Sequence, residues 1–185
     1  MFTTQIILIT IGSIGLLLVS RSSLRDPTSH GFYRFFAWEA ILLLFVSDLP
    51  FWFVDPSSWN QVISWILLVV SIIPLGWGLF LLKNKGKPAG AREKEGSLLP
   101  LERTSRLVTT GIYGYIRHPL YASLLCLAWG IFFKLPSFMG FALALTASGF
   151  LYRTAIADER ECIRFFGEEY IAYMKRTKRF IPFIF

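Results

Sequence analysis

Two stretches of the chain carry residue types that could do chemistry. The first, residues 107–121, has the sequence LVTTGIYGYIRHPLY. Gly111 and Gly114 permit backbone conformations and close approaches that side chains block, and Tyr113, Tyr115 and Tyr121 offer flat faces and hydroxyls. His118 precedes Pro119, which pushes it toward an extended conformation. Pro119 in turn suits the first turn of a helix. The backbone amides at such a helix start favour an anion, for example a carboxylate. The second stretch, residues 153–173, has the sequence RTAIADERECIRFFGEEYIAY. It is expected to be a helix carrying Asp158, Glu159, Glu161 and Arg164 on neighbouring faces, with Gly167 breaking or turning it. By itself the segment also fits a salt-bridged amphipathic helix on a membrane surface.

Taken together, the stretches set helix-start amides, aromatic rings and an imidazole against carboxylates and an arginine. That combination suits a small zwitterionic or cationic cofactor meeting a lipid-borne substrate. A carboxylate nucleophile is already ionised at neutral pH (reference pKa about 4) and needs no general base. An amine would need deprotonation, with His118 or Glu159 as the candidates. The chain has no GxGxxG after a strand, no phosphate-binding loop and no GxSxG nucleophile motif, which argues against the dinucleotide-binding, nucleotide-hydrolysing and serine-hydrolase classes. Cys126 and Cys162 stand apart, with no CxxC and no Cys/His cluster, so no metal is expected.

The elements that must position these residues are apolar helices. Hydrophobic residues make up 54% of the chain and charged ones 17%, against roughly 25% charged in a soluble domain. Apolar segments cover residues 2–20, 35–54, 62–82, 120–133 and 138–152. The expectation is an all-α, polytopic transmembrane helical bundle of five spans forming a single membrane domain over 1–185. Residues 1–82 would hold three spans, 83–106 a polar cytosolic loop, and 107–185 a cofactor-binding hairpin with a C-terminal helix. The last two segments are short for spans of about 20 residues, and fit either a crossing hairpin or a re-entrant pair joined by a turn at Lys134-Leu135-Pro136-Ser137.

Charge placement supports the layout. With the N-terminus outside and the C-terminus cytosolic, Lys134 is the one basic residue of 19 that falls outside, a strong positive-inside bias. The net charge of +7 is therefore assigned to orientation in an anionic membrane rather than to nucleic acid. The first segment lacks the basic lead and small-residue cleavage site of a signal peptide. Glu39 and Asp48, within or beside the second segment, are functional candidates by default, although both lie near an end, where water or an arginine reaches them. Pro50 and Pro74 are expected to kink or end their helices, and Gly12, Gly15, Gly76 and Gly78 to allow close helix packing.

The run GIYGYIRHPLY, a hydrophobic hairpin, and then DERECIRFFGEEYIAYMKRTKRFIP together resemble the isoprenylcysteine carboxyl methyltransferase family, within the wider set of membrane phospholipid methyltransferases. The resemblance covers about residues 83–182. RHPxY, a downstream acidic pair and FGxxYxxYxxxxxxFIP are specific in combination. It implies S-adenosyl-L-methionine as methyl donor, bound at the cytosolic face of the membrane, an inner or plasma membrane if the source is bacterial. The implied cofactor contacts are Leu107, Val108, Tyr113, His118, Pro119, Leu120 and Tyr121, with Asp158 and Glu159 as the acidic pair. Many family members have two glutamates there, so Asp158 is a departure. Arg153 lies near a substrate-contacting arginine of the family, which makes Arg153 and Glu159 the implied catalytic residues. The implied partners are a lipophilic small molecule or lipidated substrate and membrane lipids. Membrane sterol reductases share a related C-terminal pattern but use NADPH and have longer chains. A non-enzymatic membrane scaffold with a decayed site is a third reading, resting on Asp158.

Overall fold

A computed structural model describes residues 2–86 and 104–184. The main helices are α1 (Phe2–Ser20), α2 (His30–Asp48), α3 (Trp59–Lys85), α4 (Pro119–Phe132), α5 (Phe138–Phe166) and α6 (Glu168–Arg176). Short 3-10 turns occupy Ser23–Arg25, Leu49–Phe51 and Gly111–Gly114. The described residues contain no sheet; an isolated parallel bridge joins Ile116 and Lys178. The chain is thus an all-helical membrane protein. Most of the expected polar loop, residues 87–103, lies outside the described residues.

Cross-contacts show that α1 to α5 alternate in direction. Gln5 of α1 donates to the Val46 carbonyl near the end of α2. At the other end of α2, His30 meets Glu161 late in α5. Gly78 abuts Pro119 and Gly130 abuts Leu68, so α3 and α4 are antiparallel. Tyr121 meets Asp158 while Trp129 meets Ser148, so α4 and α5 are too.

Helix lengths decide where chemistry can sit. The 14 residues of α4 extend about 21 Å, while the 29 of α5 extend about 44 Å against a hydrocarbon core of about 30 Å. The last turns of α5, with Asp158 and Glu159, therefore stand beside the segment that leads into α4. Helices α1, α3 and α5 are long and apolar enough to cross a membrane. Helix α2 carries His30, Arg34, Glu39 and Asp48 along its length.

Some boundaries depart from expectation. Helix α2 begins five residues early because the Ser29 hydroxyl accepts the Phe32 amide, and it ends at Asp48, leaving Pro50 in the following 3-10 turn. Pro74 lies inside α3 and does not end it. Helix α3 continues through Lys85, where Lys83 and Lys85 in the last turn complement the helix dipole. Small residues act selectively. A Cβ on Gly12 would meet Leu42, and one on Gly78 would meet Pro119, but Gly15 and Gly76 have nothing within 4 Å among the described residues.

Opposite the His118 end, the α4–α5 turn is pinned by a buried cation. Lys134 is 2% exposed, donates to Gln61 Oε1 at 2.9 Å, and lies 3.5 Å from the Trp65 ring centroid and 5.2 Å from that of Trp52. Asp48 is buried at the end of α2. Glu39 accepts from Ser13 of α1 at 2.8 Å. Neither Glu39 nor Asp48 lines the cleft at the His118 end.

Candidate functional site

A cleft with a cavity volume of about 100 Å³ lies where α3, the 3-10 turn at Gly111–Gly114, the start of α4, the end of α5 and α6 meet. Its wall is set by two glycines. Gly111 has φ of +63° and lies so close to α3 that a Cβ would sit 2.7 Å from Leu81 and 3.2 Å from the Trp77 indole nitrogen. This draws Tyr113 inward, where it is buried with Val108 and Leu81. Gly167, at φ +58° and ψ −134°, ends α5 in a region open essentially to glycine and turns α6 back over the cleft. Tyr170 and Tyr173, both buried, come from α6, and the Tyr173 hydroxyl donates to the Tyr113 carbonyl at 2.7 Å. Replacing Gly111 by alanine should lower unfolding stability by about 1–3 kcal/mol. Denaturant melts in detergent check this, and an unchanged midpoint would count against the close approach.

His118 sits between the two halves of the acidic pair. It is the N-cap of α4, stacks on Tyr121 with ring centroids 5.3 Å apart, and is 4% exposed. Its Nδ1 lies 3.4 Å from Asp158 Oδ2 and its Nε2 lies 3.3 Å from Glu159 Oε1. Both ring nitrogens have a carboxylate to donate to, an arrangement that only the imidazolium satisfies. Burial works against that charge, but the bonds to Asp158 and Glu159 prevail and raise the pKa above its ordinary value. A raised folded-state pKa contributes stability that is fully present below the unfolded value of about 6.5 and is lost as pH rises through the folded value. The thermal midpoint of the wild type should accordingly fall on the alkaline side of about pH 6.5, and that of His118→Gln should fall less. Parallel melts across this range would refute the assignment.

The adjacent carboxylates face different surroundings. Asp158, 24% exposed at its side chain, lines the cleft. It accepts from the Tyr121 hydroxyl at 3.2 Å and from the Cys162 thiol at 3.5 Å. Glu159 is 4% exposed and does not line it. It accepts from Arg117 Nε at 2.9 Å and from Arg179 through Nε at 3.1 Å and a terminal nitrogen at 2.7 Å. Glu161 points a third way, to the backbone amide and imidazole of His30 at 2.8 Å each. Successive helical residues are 100° apart, so one turn of α5 serves the cleft, the C-terminal segment and α2.

Of the residues singled out from the sequence, Leu107, Val108, Tyr113, His118, Pro119, Leu120, Tyr121 and Asp158 all line the cleft. Arg153 does not. It is exposed, its guanidinium over the Tyr33 ring at 5.3 Å. Arg164 is exposed as well. Tyr170 and Tyr173 received no role from the sequence, although their i, i+3 spacing after Gly167 was a usable signal. Arg179 gave none, because its partner lies 20 residues away.

The phospholipid methyltransferase family model matches residues 59–169, which includes every cleft element except α6, of which only Glu168 and Glu169 fall within the match. The chain belongs to the phospholipid methyltransferase family. Its relatives within and around that family differ in what they are named for. A protein-S-isoprenylcysteine O-methyltransferase of Homo sapiens is 32% identical over 66% of this chain and 43% of its own length. A methanethiol S-methyltransferase of Bradyrhizobium diazoefficiens is 27% identical over 84% of this chain and 55% of its own. A Delta(14)-sterol reductase of Mus musculus is 27% identical over 64% of this chain and 31% of its own. The chain thus spans about half or less of the length of these relatives. No solved structure gives a significant match.

Proposed function

We propose that this phospholipid methyltransferase family member is a methyltransferase that uses S-adenosylmethionine, crosses the membrane five times with its C-terminus cytosolic, and methylates a lipophilic acceptor at the cytosolic face. The observation that carries the reading is the convergence of the RHPxY residues, Asp158 and the α6 tyrosines on one cleft at the end of the bundle where the sequence concentrates its basic loops.

The cleft's chemistry fits the cofactor. Asp158 would take an ammonium or ribose hydroxyls, and the tyrosine faces favour a sulfonium cation. Leu107, Val108, Pro119 and Leu120 would cover an apolar ring. Bound there, S-adenosylmethionine would supply an electrophilic methyl group. The chain's part is orientation, worth about 7–11 kcal/mol at best, and exclusion of water by Tyr170, Tyr173 and Phe166.

The site residues also narrow the acceptor. His118, held as an imidazolium by carboxylates on both nitrogens, has no lone pair to accept a proton. Glu159 is engaged by two arginines, and Asp158 is paired with His118. None serves as a general base, so the acceptor is a nucleophile that arrives anionic, a carboxylate or a thiolate, rather than an ammonium. The names of the human and Bradyrhizobium relatives, an isoprenylcysteine and a methanethiol methyltransferase, agree with this. Calorimetry on detergent-solubilised protein should show saturable binding of S-adenosylhomocysteine and none of NADPH. Incubation with labelled S-adenosylmethionine and native membranes should then label a lipid or lipidated protein. NADPH binding in place of S-adenosylhomocysteine would overturn the reading.

A further inference from the structure

The C-terminal segment after α6 has no helix of its own to hold it. It runs parallel to the stretch before α4, with Arg117 donating its amide to the Lys178 carbonyl at 2.8 Å, His118 to that of Arg179 at 3.1 Å, and Lys178 to that of Tyr115 at 3.0 Å. Three backbone bonds between two short segments are a weak tether alone, since an isolated pair of strands is marginal in water. Side chains complete it. The Arg117 guanidinium reaches the Thr177 and Met174 carbonyls at the end of α6 with one nitrogen and Glu159 with another. Arg179 closes the other side with a two-pronged bond to both Glu159 oxygens, the strong fork geometry of guanidinium on carboxylate. Phe180, buried from the same segment, lies against His118 at 6.1 Å between ring centroids.

We infer that Glu159 is a positioning residue rather than a ligand of the cleft: with Arg117 and Arg179 it forms a clasp that fastens residues 177–180 beneath His118 and thereby fixes the imidazole and Asp158 facing the cleft. Glu159 receives four donor contacts from three side chains, three on Oε1 and one on Oε2, and it is buried and turned away from the cleft lining. Arg179 is the informative partner. It does not line the cleft, yet its bond to Glu159 is the shortest of the four. The α6 roof is held by the same clasp, because Arg117 ties the last carbonyls of that helix to Glu159. The inference builds on the proposed cofactor site, but its tether can be read without any cofactor.

The test uses the full chain in detergent as wild type, Glu159→Gln, Arg179→Gln, the double variant and Arg179→Lys. Tryptic cleavage after Arg176 and Lys178 reads the tether, and S-adenosylhomocysteine binding reads the cleft. With only two histidines in the chain, imidazole nitrogen resonances report His118 directly, with His30 as internal control. The clasp predicts faster cleavage and a displaced His118 signal in both Gln variants. Each should bind S-adenosylhomocysteine about tenfold more weakly, and the double variant no more weakly than either, because residues that act as one unit are not additive. Arg179→Lys, which keeps a charge on Glu159, should recover part of the binding and keeps the test informative if a Gln variant does not fold. Arg179→Gln with wild-type binding and a protected tail, while Glu159→Gln loses binding, would overturn the inference and make Glu159 a direct ligand. If the wild type binds no S-adenosylhomocysteine, the proposed function fails, and cleavage and the His118 signal still decide the clasp.

Discussion

Asp158→Asn should lower kcat/KM for methyl transfer by about 10²–10³-fold and weaken S-adenosylhomocysteine binding by a similar factor, at 1.36 kcal/mol per tenfold. The substitution preserves shape and removes charge. It strips His118 Nδ1 of its carboxylate at 3.4 Å and the Tyr121 hydroxyl of its ionic acceptor at 3.2 Å. Hydrogen bonds to charged groups are each worth about 1.5–3 kcal/mol, and the contact with a bound ammonium or diol is lost besides. Asp158→Glu keeps the charge on a longer stem and should stay within about tenfold of wild type, since the lost interaction is mainly electrostatic. Calorimetric titration of both variants and initial rates on the labelled acceptor check the pair. Asp158→Asn binding as the wild type does would remove the cleft's carboxylate from the proposed site and restore the decayed-scaffold reading.

Lys134→Ala, at the other end of the bundle, should cost about 3 kcal/mol of unfolding free energy while leaving S-adenosylhomocysteine affinity unchanged in the folded fraction. The ammonium is enclosed by two indole rings, a contact worth about 2 kcal/mol when desolvated. It also donates to Gln61 Oε1, and a hydrogen bond from a charged donor is worth about 1.5–3 kcal/mol. The two contributions overlap, which places the total near the stated figure. Gln61 is itself buried and spends its amide on the Phe51 and Lys134 carbonyls, so the loss reaches the α2–α3 turn as well. Lys134→Met keeps the apolar stem and should recover part of the loss. A lowered melting midpoint with unchanged affinity is the expected pattern, and equal melts for Lys134→Ala and wild type would show the aromatic enclosure to be energetically idle.

The element pattern was legible wherever local chemistry dominates. The five apolar segments correspond to α1 through α5 because a run of aliphatic and aromatic residues bounded by charge forms a helix whatever surrounds it. Pro119 at the start of α4 and the break at Gly167 followed for the same reason, since a missing amide hydrogen and a positive φ are properties of single residues. Seven of the expected contacts, from Leu107 to Tyr121, line the cleft because RHPxY and its flanks lie within one short stretch whose own turn gathers them.

The sequence alone could not decide how the acidic pair divides its work. Asp158 and Glu159 are neighbours of nearly equal chemistry, and only the rotation of α5 against α4 sends one to the cleft and the other to Arg117 and Arg179. That rotation is set by contacts far along the chain, His30 with Glu161 and Leu44 with Gly140, which no local pattern encodes. Arg153 illustrates the converse. The family resemblance gave it a substrate-contacting role, and the helix face it occupies turns it to Tyr33 rather than into the cleft. Lys134 looked like the one exception to a charge rule, and the fold gives it a cage assembled from α3, the α2–α3 turn and the α4–α5 turn. The sequence by itself determined the membrane, the helices and the stretch where the chemistry gathers, because these follow from hydrophobicity and from single-residue backbone limits. The tertiary structure alone decided which carboxylate meets a ligand and which holds the fold together, because that depends on helix rotation and on a C-terminal segment brought back by pairing across about 60 residues.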